Sequence, residues 1–304
     1  MITFVNAKIN IGLEIVSRRP DGYHNLRTIF YPIGRYAGLP ENPEQFCDIL
    51  EVIPLPEDSS GLLPRFTLDL SGRKVDCPPE KNLVYRAADL YFKECASPKF
   101  RAAIRLEKHL PDGAGMGGGS ADAAFTLKTL AAVEKEFAPE NRHIPDDRRL
   151  EELALRLGAD CPFFIRNIPA YAEGVGEILE NSSLDLSGYW AVVVKPHVSV
   201  STREAFAGIT PRPGTPDLKS IVENNSPSDW RGVIVNDFSQ GIYTTHPEMS
   251  EIHKALEAGG AQYVSMTGSG SAIFSLWTDP GRAARMKREL VGDPTIERVY
   301  LLKL

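Results

Sequence analysis

The chain of 304 residues is long enough for two domains, and its 42% hydrophobic and 24% charged residues are typical of a globular protein rather than a disordered one. Its 34 basic and 40 acidic residues give a formal net charge of −6, which argues against a broad basic surface for nucleic acid. No apolar run reaches the roughly 18 residues that a membrane helix needs, so we expect no membrane partner.

The cysteines and the N-terminal residues predict a reduced, cytoplasmic protein. The four cysteines are widely separated and contain no C-x-x-C pair, which disfavours a zinc ribbon or a redox motif. Lys8, Asn10 and Glu14 interrupt the apolar first segment, and no small-residue cleavage site follows, so we expect no signal peptide. The six histidines show no metal-ligand spacing, so we expect no metal ion held by the protein alone.

Alternating apolar residues predict the first strand, over residues 7–16, and place Lys8 and Asn10 together on one face. A Pro-Asp-Gly turn within 17–22 leads to a second predicted strand over 26–33. Apolar spacing and loop-forming residues then predict, in chain order, a proline-rich loop at 54–64, a helix at 82–93, a strand at 100–106, a helix at 120–137, a polar loop at 139–148 and a helix at 150–157 that ends at Gly158.

Strands and helices continue to alternate to the C-terminus, which favours an α/β or α+β fold. The composition changes near residues 181–188, so we predict an N-terminal domain over 1–182 and a C-terminal domain over 183–304. The predicted elements of the second domain are a strand at 190–194, a polar, proline-rich stretch at 210–227, a helix at 249–258, strands at 262–266 and 272–277, a helix at 281–291 and a strand at 297–302.

Five glycines within seven residues form the most informative segment, which lies between a predicted strand and a predicted helix. Glycine permits positive φ and close approach of the backbone, and the N-terminus of a helix attracts anions, so we predict binding of nucleotide phosphates. A tightly packed turn without a ligand is the alternative, but five glycines carry a large entropic cost. The loop consists of Pro111, Asp112, Gly113, Ala114, Gly115, Met116, Gly117, Gly118, Gly119 and Ser120.

Three familiar phosphate-binding loops do not fit this segment. A Walker A loop needs a lysine before its Ser or Thr, and none is present. The G-x-G-x-x-G spacing fits a dinucleotide site, but the next predicted strand with an acidic residue is missing. The H-R-D and D-F-G motifs of protein kinases do not occur.

The motifs instead resemble those of the GHMP kinases, the family of galactokinase, homoserine kinase, mevalonate kinase and phosphomevalonate kinase. The segments AKINIGLEI, RRPDGYHNLRTIF, LPDGAGMGGGSADAA, LGADCPFF, AEGVGEIL and TGSGSAIF occur in the family's order. The resemblance implies a two-domain α/β (α+β) GHMP kinase fold, with an N-terminal ribosomal-protein-S5-domain-2-like domain and a C-terminal ferredoxin-like domain. It also implies a bacterial, ATP-dependent kinase of isoprenoid biosynthesis.

Asp160 and Lys8 are the candidate catalytic residues. Asp160 follows a predicted helix among apolar residues, and without the resemblance it could equally make local turn bonds before Pro162. The LGADCPFF segment resembles the family's catalytic-aspartate motif, although Cys161 replaces an expected small aliphatic residue. Lys8 on its own could be an exposed strand lysine, but its place in AKIN is similar to that of the family's catalytic lysine, which would stabilise charge near the reacting hydroxyl.

The resemblance implies that the small-molecule substrate is a cytidyl diphosphate sugar alcohol. Tyr23 would stack on the cytosine, His24 would read its edge, and Phe206 would cover its other face, whereas ordinary loop packing is the alternative for the first two. The other residues assigned to substrate are Asn10, Phe30, Thr202 and the loop residues Gly268 and Ser269, for which a simple hairpin turn is the alternative.

Asn82 and Lys108 resemble residues near the family's adenine-nucleotide site, although Lys108 could instead be a solvated charge at a strand end. The expected cofactor is ATP with Mg²⁺, held mainly by phosphates and water. A homodimer is one candidate assembly. Two rivals remain open: another small-molecule GHMP kinase, such as a mevalonate or homoserine kinase, and a non-catalytic nucleotide-binding regulator with the same fold.

Overall fold

The structure is a computed structural model that describes residues 1–34, 46–58, 60–75, 77–138, 141 and 143–304. These residues form two compact units, each made of separate stretches of chain. Unit 1 comprises the described parts of Met1–Ala7, Phe46–Asp112 and Gly117–Asn167, and unit 2 those of Lys8–Gln45, Gly113–Met116 and Ile168–Leu304. The predicted single boundary between 182 and 183 stays a prediction.

Strands and helices alternate through both units, in agreement with the predicted fold class. The strands are β1 (Ile2–Val5), β2 (Ala7–Arg18), β3 (His24–Ile33), β4 (Asp48–Pro54), β5 (Phe66–Gly72), β6 (Ala102–Lys108), β7 (Ala170–Glu173), β8 (Ile178–Asn181), β9 (Trp190–Pro196), β10 (Tyr263–Met266), β11 (Ile273–Trp277) and β12 (Ile296–Lys303). The helices are α1 (Leu83–Glu94), α2 (Gly118–Phe137), α3 (Asp147–Leu155), α4 (Cys161–Arg166), α5 (Thr202–Ala207), α6 (Leu218–Asn224), α7 (Phe238–Thr245), α8 (Pro247–Ala258) and α9 (Pro280–Leu290), with 3-10 turns at Pro79–Lys81 and Pro227–Trp230.

Unit 1 is one sheet packed against helices. Its strand order is β1-β4-β6-β5, with β5 and β6 parallel and the other pairs antiparallel. Helix α2 packs against β4 and β1 and also contacts α1 and α4. The small side chains of its SADAA segment allow this close packing, since Ala121, Ala123 and Ala124 are completely buried. The sheet and α2 thus fix the helix whose first residues belong to the glycine loop.

A buried carboxylate joins α1, α2 and the turn between α1 and β6. Glu134 of α2 accepts hydrogen bonds from the Tyr91 hydroxyl at 2.8 Å, the Ser97 N–H at 2.7 Å and the Asn141 side-chain amide at 2.7 Å. Burial, and then the hydrogen bond to Glu134, raises the pKa of the Tyr91 hydroxyl, so Tyr91 remains a donor. These three bonds compensate for burying the charge of Glu134.

Unit 2 contains two four-stranded sheets, with strand orders β2-β3-β7-β8 and β10-β11-β9-β12. Residues 7–15 of β2 are all buried, so both faces of this strand are covered, rather than one face as its alternating pattern suggested. Helices α8 and α9 contribute Met249, Ile252 and Met286 to a core that also contains side chains of β9, β10 and β11. The face of β2 that carries Lys8 is therefore an interior surface.

The predicted strands and helices agree with the observed ones to within a few residues, whereas the polar, proline-rich stretch predicted at 210–227 contains helix α6. The helix predicted over 150–157 ends at Leu155, because the chain tightens there into i to i−3 bonds, from the Arg156 N–H to Leu153 and from the Leu157 N–H to Ala154. Gly158 follows this turn rather than ending the helix directly. Part of the predicted polar loop, residues 139, 140 and 142, lies outside the described residues.

No helix among the described residues is long and apolar enough to cross a bilayer.

We expect Glu134→Ala to lower the free energy of unfolding by about 2–4 kcal/mol, because the Tyr91 hydroxyl and the Ser97 N–H would lose their buried acceptor. Glu136→Ala is the matched control, since Glu136 is an exposed glutamate of the same helix. Urea denaturation of both variants measures the difference. Equal stability of the two variants would show that the buried carboxylate contributes nothing to unit 1.

Candidate active site

Lys8 and Asn10 lie together on one face of β2, as predicted, and this face is buried rather than exposed. The Lys8 ammonium donates to Asn10 Oδ1 at 2.5 Å and to the Gly115 carbonyl oxygen at 2.9 Å, and it lies 5.1 Å from the centre of the Phe30 ring. The Lys8 backbone N–H donates to the Met116 carbonyl at 3.0 Å. Both side chains are buried, so the alternative of an exposed strand lysine is wrong. Lys8 is instead joined to the first half of the glycine loop.

The orientation of the Asn10 amide follows from its neighbour Thr28. The Thr28 hydroxyl donates its one proton to the Gly12 carbonyl, so it can only accept from Asn10 Nδ2, which lies 3.0 Å away. The amide nitrogen of Asn10 therefore points to Thr28, and its oxygen points to Lys8. A buried threonine thus determines which atom of Asn10 the ammonium meets.

The first half of the glycine loop belongs to unit 2, where it runs beside the segment that joins β10 and β11. The Ser271 N–H donates to the Gly113 carbonyl and the Ala272 N–H to the Ala114 carbonyl, both at 3.2 Å. The two bonds hold Gly113 and Ala114 through backbone atoms, whereas the Gly115 carbonyl accepts from the side chains of Lys8 and Thr267.

The two loops approach so closely that neither can carry a side chain at the contact. Gly115 has φ +70°, and a Cβ added there would overlap the Thr267 carbonyl group. Gly268 has φ +55°, and an added Cβ would lie 2.8 Å from the Gly115 carbonyl oxygen. The Asn236 amide donates to the Gly268 carbonyl at 2.8 Å, and Ser269 next to it is half-buried. Glycine is therefore required here by space as well as by φ.

The second half of the loop begins helix α2 in unit 1. Gly117, with φ +71°, is the N-cap residue and provides no side-chain capping bond. The first N–H groups of a helix lack intrahelical acceptors, and here they follow Gly117 directly, at Gly118, Gly119 and Ser120. The Ser120 hydroxyl also interacts with the Cys161 thiol. This helix start has the geometry that favours a phosphate.

Lys108 is buried in an ion-pair cluster, so its interpretation as a solvated charge is wrong. Its ammonium contacts Asp48 and lies 2.7 Å from Asp122. Burial would lower the pKa of Lys108, but the two carboxylates outweigh it and raise that pKa. Burial raises the pKa of Asp122 above its ordinary value, against the pull of Lys108. The Lys108 ammonium and the Asp122 carboxyl therefore both hold their protons more strongly than they would in water.

The other residues assigned to ATP in unit 1 have different environments. Asn82 is buried as the N-cap of α1, and its side-chain oxygen accepts the Val84 N–H at 2.8 Å. Capping uses this oxygen and leaves the amide nitrogen of Asn82 for other contacts. Pro111 is buried, whereas Asp112 is exposed.

Asp160 stands at the N-cap of the short helix α4, where its side chain makes no capping hydrogen bond. Its own exposure is intermediate, whereas Cys161, Phe163 and Phe164 after it are buried. Burial raises the pKa of the Cys161 thiol to about 12, so Cys161 stays protonated beside Asp160. The buried residues of α4 therefore anchor the backbone that carries the Asp160 carboxyl.

Of the three residues assigned to cytosine, His24 and Phe206 contact each other. The His24 and Phe206 rings stack with centroids 4.7 Å apart at 20°, and Phe206 meets Phe238 edge-on at 4.9 Å. Tyr23 is 66% exposed, and Thr202 is exposed at the start of α5. The pairing of His24 with Phe206 was not foreseen, since we expected Phe206 to face the base directly.

Several residues of this arrangement could not be recognised, or were not predicted, from the sequence. Thr28 and Thr267 each bind Asn10 through a hydroxyl, at 3.0 Å to its amide nitrogen and 3.1 Å to its backbone nitrogen. Asp48 pairs with Lys108, and Asn236 holds the loop at 268. Thr267 directly precedes Gly268 and Ser269, so its place in the sequence could have indicated it. Asp48 and Asn236 could not be found in this way, because their partners are distant in sequence.

Among the described ranges, no cluster of three or more His, Cys, Asp or Glu side chains has the geometry to hold a metal ion.

Comparisons with known proteins give the family. The models of the GHMP kinase N-terminal and C-terminal domains match residues 82–167 and 221–293. A protein of Bacteroides fragilis named 4-diphosphocytidyl-2-C-methyl-D-erythritol kinase is 44% identical, over 95% of this chain and 96% of its own length. A protein of the same name from Chlorobaculum tepidum is 39% identical, over 92% of this chain and 90% of its own length.

Solved structures agree with these relatives. A crystal structure of 4-(cytidine 5'-diphospho)-2C-methyl-D-erythritol kinase superimposes with a TM-score of 0.76 at 32% identity, over the whole of both chains. A homoserine kinase from Cytophaga hutchinsonii has a TM-score of 0.69 at 17% identity, over 98% of this chain and 94% of its own, and so shows the fold alone. Domain matches, full-length relatives and fold together show that the chain belongs to the GHMP kinases, among the 4-diphosphocytidyl-2-C-methyl-D-erythritol kinases.

Proposed function

We propose that the chain transfers the γ-phosphate of ATP to the 2-hydroxyl of 4-diphosphocytidyl-2-C-methyl-D-erythritol, in the non-mevalonate route to isoprenoid precursors. The products are ADP and the 2-phosphate. The observation that carries this proposal is the 44% identity to a kinase of that name along 95% of the chain. The bacterial sources of the relatives support a bacterial cytoplasmic enzyme.

The glycine loop binds the ATP phosphates in this proposal. The support is the helix start at Gly117, with its N–H groups, together with the stretch 113–116, whose carbonyls are held by hydrogen bonds at Gly113, Ala114 and Gly115. Mg²⁺ is the metal that suits bound ATP, because phosphates and water supply oxygen ligands without a protein cage. The metal would neutralise charge on the phosphates.

Asp160 is proposed as the base and Lys8 as the stabilising charge. The substrate hydroxyl oxygen attacks the γ-phosphorus, the bond to the β-phosphate oxygen breaks, and the hydroxyl proton passes to Asp160. The support for Asp160 is its place in the LGADCPFF segment, at the start of α4, where the residues that follow it are buried. Lys8 is held by Asn10 and Gly115, so its charge is fixed in place before the reaction begins.

Tyr23, His24 and Phe206 are proposed to recognise cytosine. Stacking of the base on Phe206 requires the His24 ring to leave the face that it covers, which would free the imidazole to bond the base edge. The exposure of Tyr23 supports a role in which the ligand, rather than the protein, covers its ring. Asn10, Phe30, Thr202, Gly268 and Ser269 remain proposals for contacts with the rest of the substrate.

A substrate panel tests the proposed function. We expect ATP- and Mg²⁺-dependent phosphorylation of the cytidyl compound, with kcat/KM at least about 100-fold above that for mevalonate or homoserine, because only the cytidyl compound has a base to stack. Coupled ADP release and product mass measure it. Turnover of mevalonate or homoserine alone would assign the chain to another GHMP kinase, and ATP binding without any turnover would indicate a regulator.

Asp160→Asn should lower kcat by about 10²–10⁴-fold while ATP affinity changes less than about threefold, because the variant keeps the shape and loses the proton acceptor. Asp146→Asn is the matched control, since Asp146 is an exposed N-cap aspartate of α3. Steady-state kinetics and calorimetric ATP titration provide the two numbers. Similar kcat values for the two variants would remove Asp160 from the reaction.

Tyr23→Ala should raise KM for the cytidyl substrate by roughly 10- to 100-fold, in line with about 1–3 kcal/mol for one base-stacking contact. Tyr23→Phe keeps the ring and should stay within about threefold of the original KM. The exposure of Tyr23 predicts an unchanged Tm for both variants, which thermal unfolding checks. An alanine variant with an unaltered KM would contradict the stacking role.

A further inference from the structure

We propose that Thr267 is a positioning residue, which fixes the Lys8 ammonium and the Gly115 carbonyl in one arrangement through its buried hydroxyl. This inference rests on the proposed role of Lys8 in phosphoryl transfer. All the residues involved belong to unit 2. Thr267 follows β10 and is completely buried, so water cannot substitute for its hydroxyl without a rearrangement of the packing.

The Thr267 hydroxyl has three polar neighbours. It accepts the Asn10 backbone N–H at 3.1 Å, it lies 3.1 Å from the Gly115 carbonyl oxygen, and it lies 3.3 Å from Asn10 Oδ1. A hydroxyl has one proton to donate, so only one of the two oxygens can receive it at a time. The Gly115 carbonyl oxygen is the nearer of the two, so it is the principal acceptor.

The Gly115 carbonyl thus receives two donors, the Thr267 hydroxyl and the Lys8 ammonium at 2.9 Å. A peptide that is held from two directions cannot rotate without breaking both bonds. Two of the ammonium's three N–H bonds are directed at Asn10 and Gly115, so the direction of its third is set by geometry. Loss of the hydroxyl would loosen the peptide and the ammonium together.

The substitution that isolates this role is Thr267→Val, which keeps the branched shape and removes the hydroxyl. We expect kcat to fall roughly 10- to 100-fold, because the Asn10 N–H loses its acceptor and Gly115 loses one of its two donors. KM for ATP and for the acceptor should change less than about threefold. Thr267→Ser keeps the hydroxyl and should restore kcat to within about threefold of the original value.

The matched control is Thr126→Val, the same chemical change at a second completely buried threonine. Among the described residues, the Thr126 hydroxyl bonds the Asp122 carbonyl alone, one turn back in α2 at 2.7 Å, so kcat should stay within about threefold. Thermal unfolding verifies that each variant is folded. If Thr267→Val does not fold, Thr267→Ala removes the same hydroxyl without a branched side chain.

A double-mutant cycle with Lys8→Met tests whether Thr267 acts through Lys8. Labelled ATP and long incubations quantify the slow turnover of the Lys8→Met background. There, Thr267→Val should lower kcat less than about twofold, because the group that it positions is already absent. An unchanged kcat for Thr267→Val, a failure of serine to rescue, a larger effect on KM than on kcat, or additive losses in the cycle would each overturn the proposal.

A spectroscopic measurement separates this inference from the proposed function. In protein labelled with ¹⁵N-lysine, the Lys8 side-chain resonance is identified by its loss in Lys8→Met. It should shift in Thr267→Val but not in Thr267→Ser or Thr126→Val. If the original protein phosphorylates none of the panel substrates, the proposed function fails, and this resonance still decides whether Thr267 holds Lys8. An unshifted resonance in Thr267→Val would refute the positioning role.

Discussion

The close approach of the backbone at 115 and 267 is the constraint on which the arrangement of unit 2 depends. Three stretches that are distant in sequence, around residues 8, 115 and 267, meet at the Gly115 carbonyl. The contact is possible because Gly115 and Gly268 have no Cβ and adopt positive φ. The absence of side chains that lets the two loops touch is also what the proposed phosphate binding by this loop would require.

A second cluster has a comparable role in unit 1. Asp48 begins β4 and Lys108 ends β6, and the antiparallel register that pairs Ile49 with Glu107 places the two side by side. Asp122 in the first turns of α2 reaches the same ammonium. Buried ions are costly to desolvate, and such a cluster is favoured where it specifies one geometry. Here it joins the strand before the glycine loop to the helix after it.

The long periodic elements were predictable because their patterns repeat several times. Strand β2, helices α1, α2 and α9, and the loop glycines were recognisable from residue order alone. Strands β1, β7 and β8 have four residues each and carry too few repeats for a period to be visible. The burial of Lys108 could not be predicted for a different reason: it depends on Asp48, which the chain brings near only through strand pairing.

Each unit is built from separate stretches of chain, and this affects how the protein folds while it is being synthesised. Strand β3 has its partner β7 only after residue 170, since Thr28 pairs with Ala172. The stretches that build unit 1 are complete at Asn167. During translation, β3 is therefore synthesised well before β7. The edge of β3 that will pair with β7 stays unpaired while the remaining residues of unit 1 are synthesised. Such an exposed edge is a natural point for chaperone binding and for misassembly during translation.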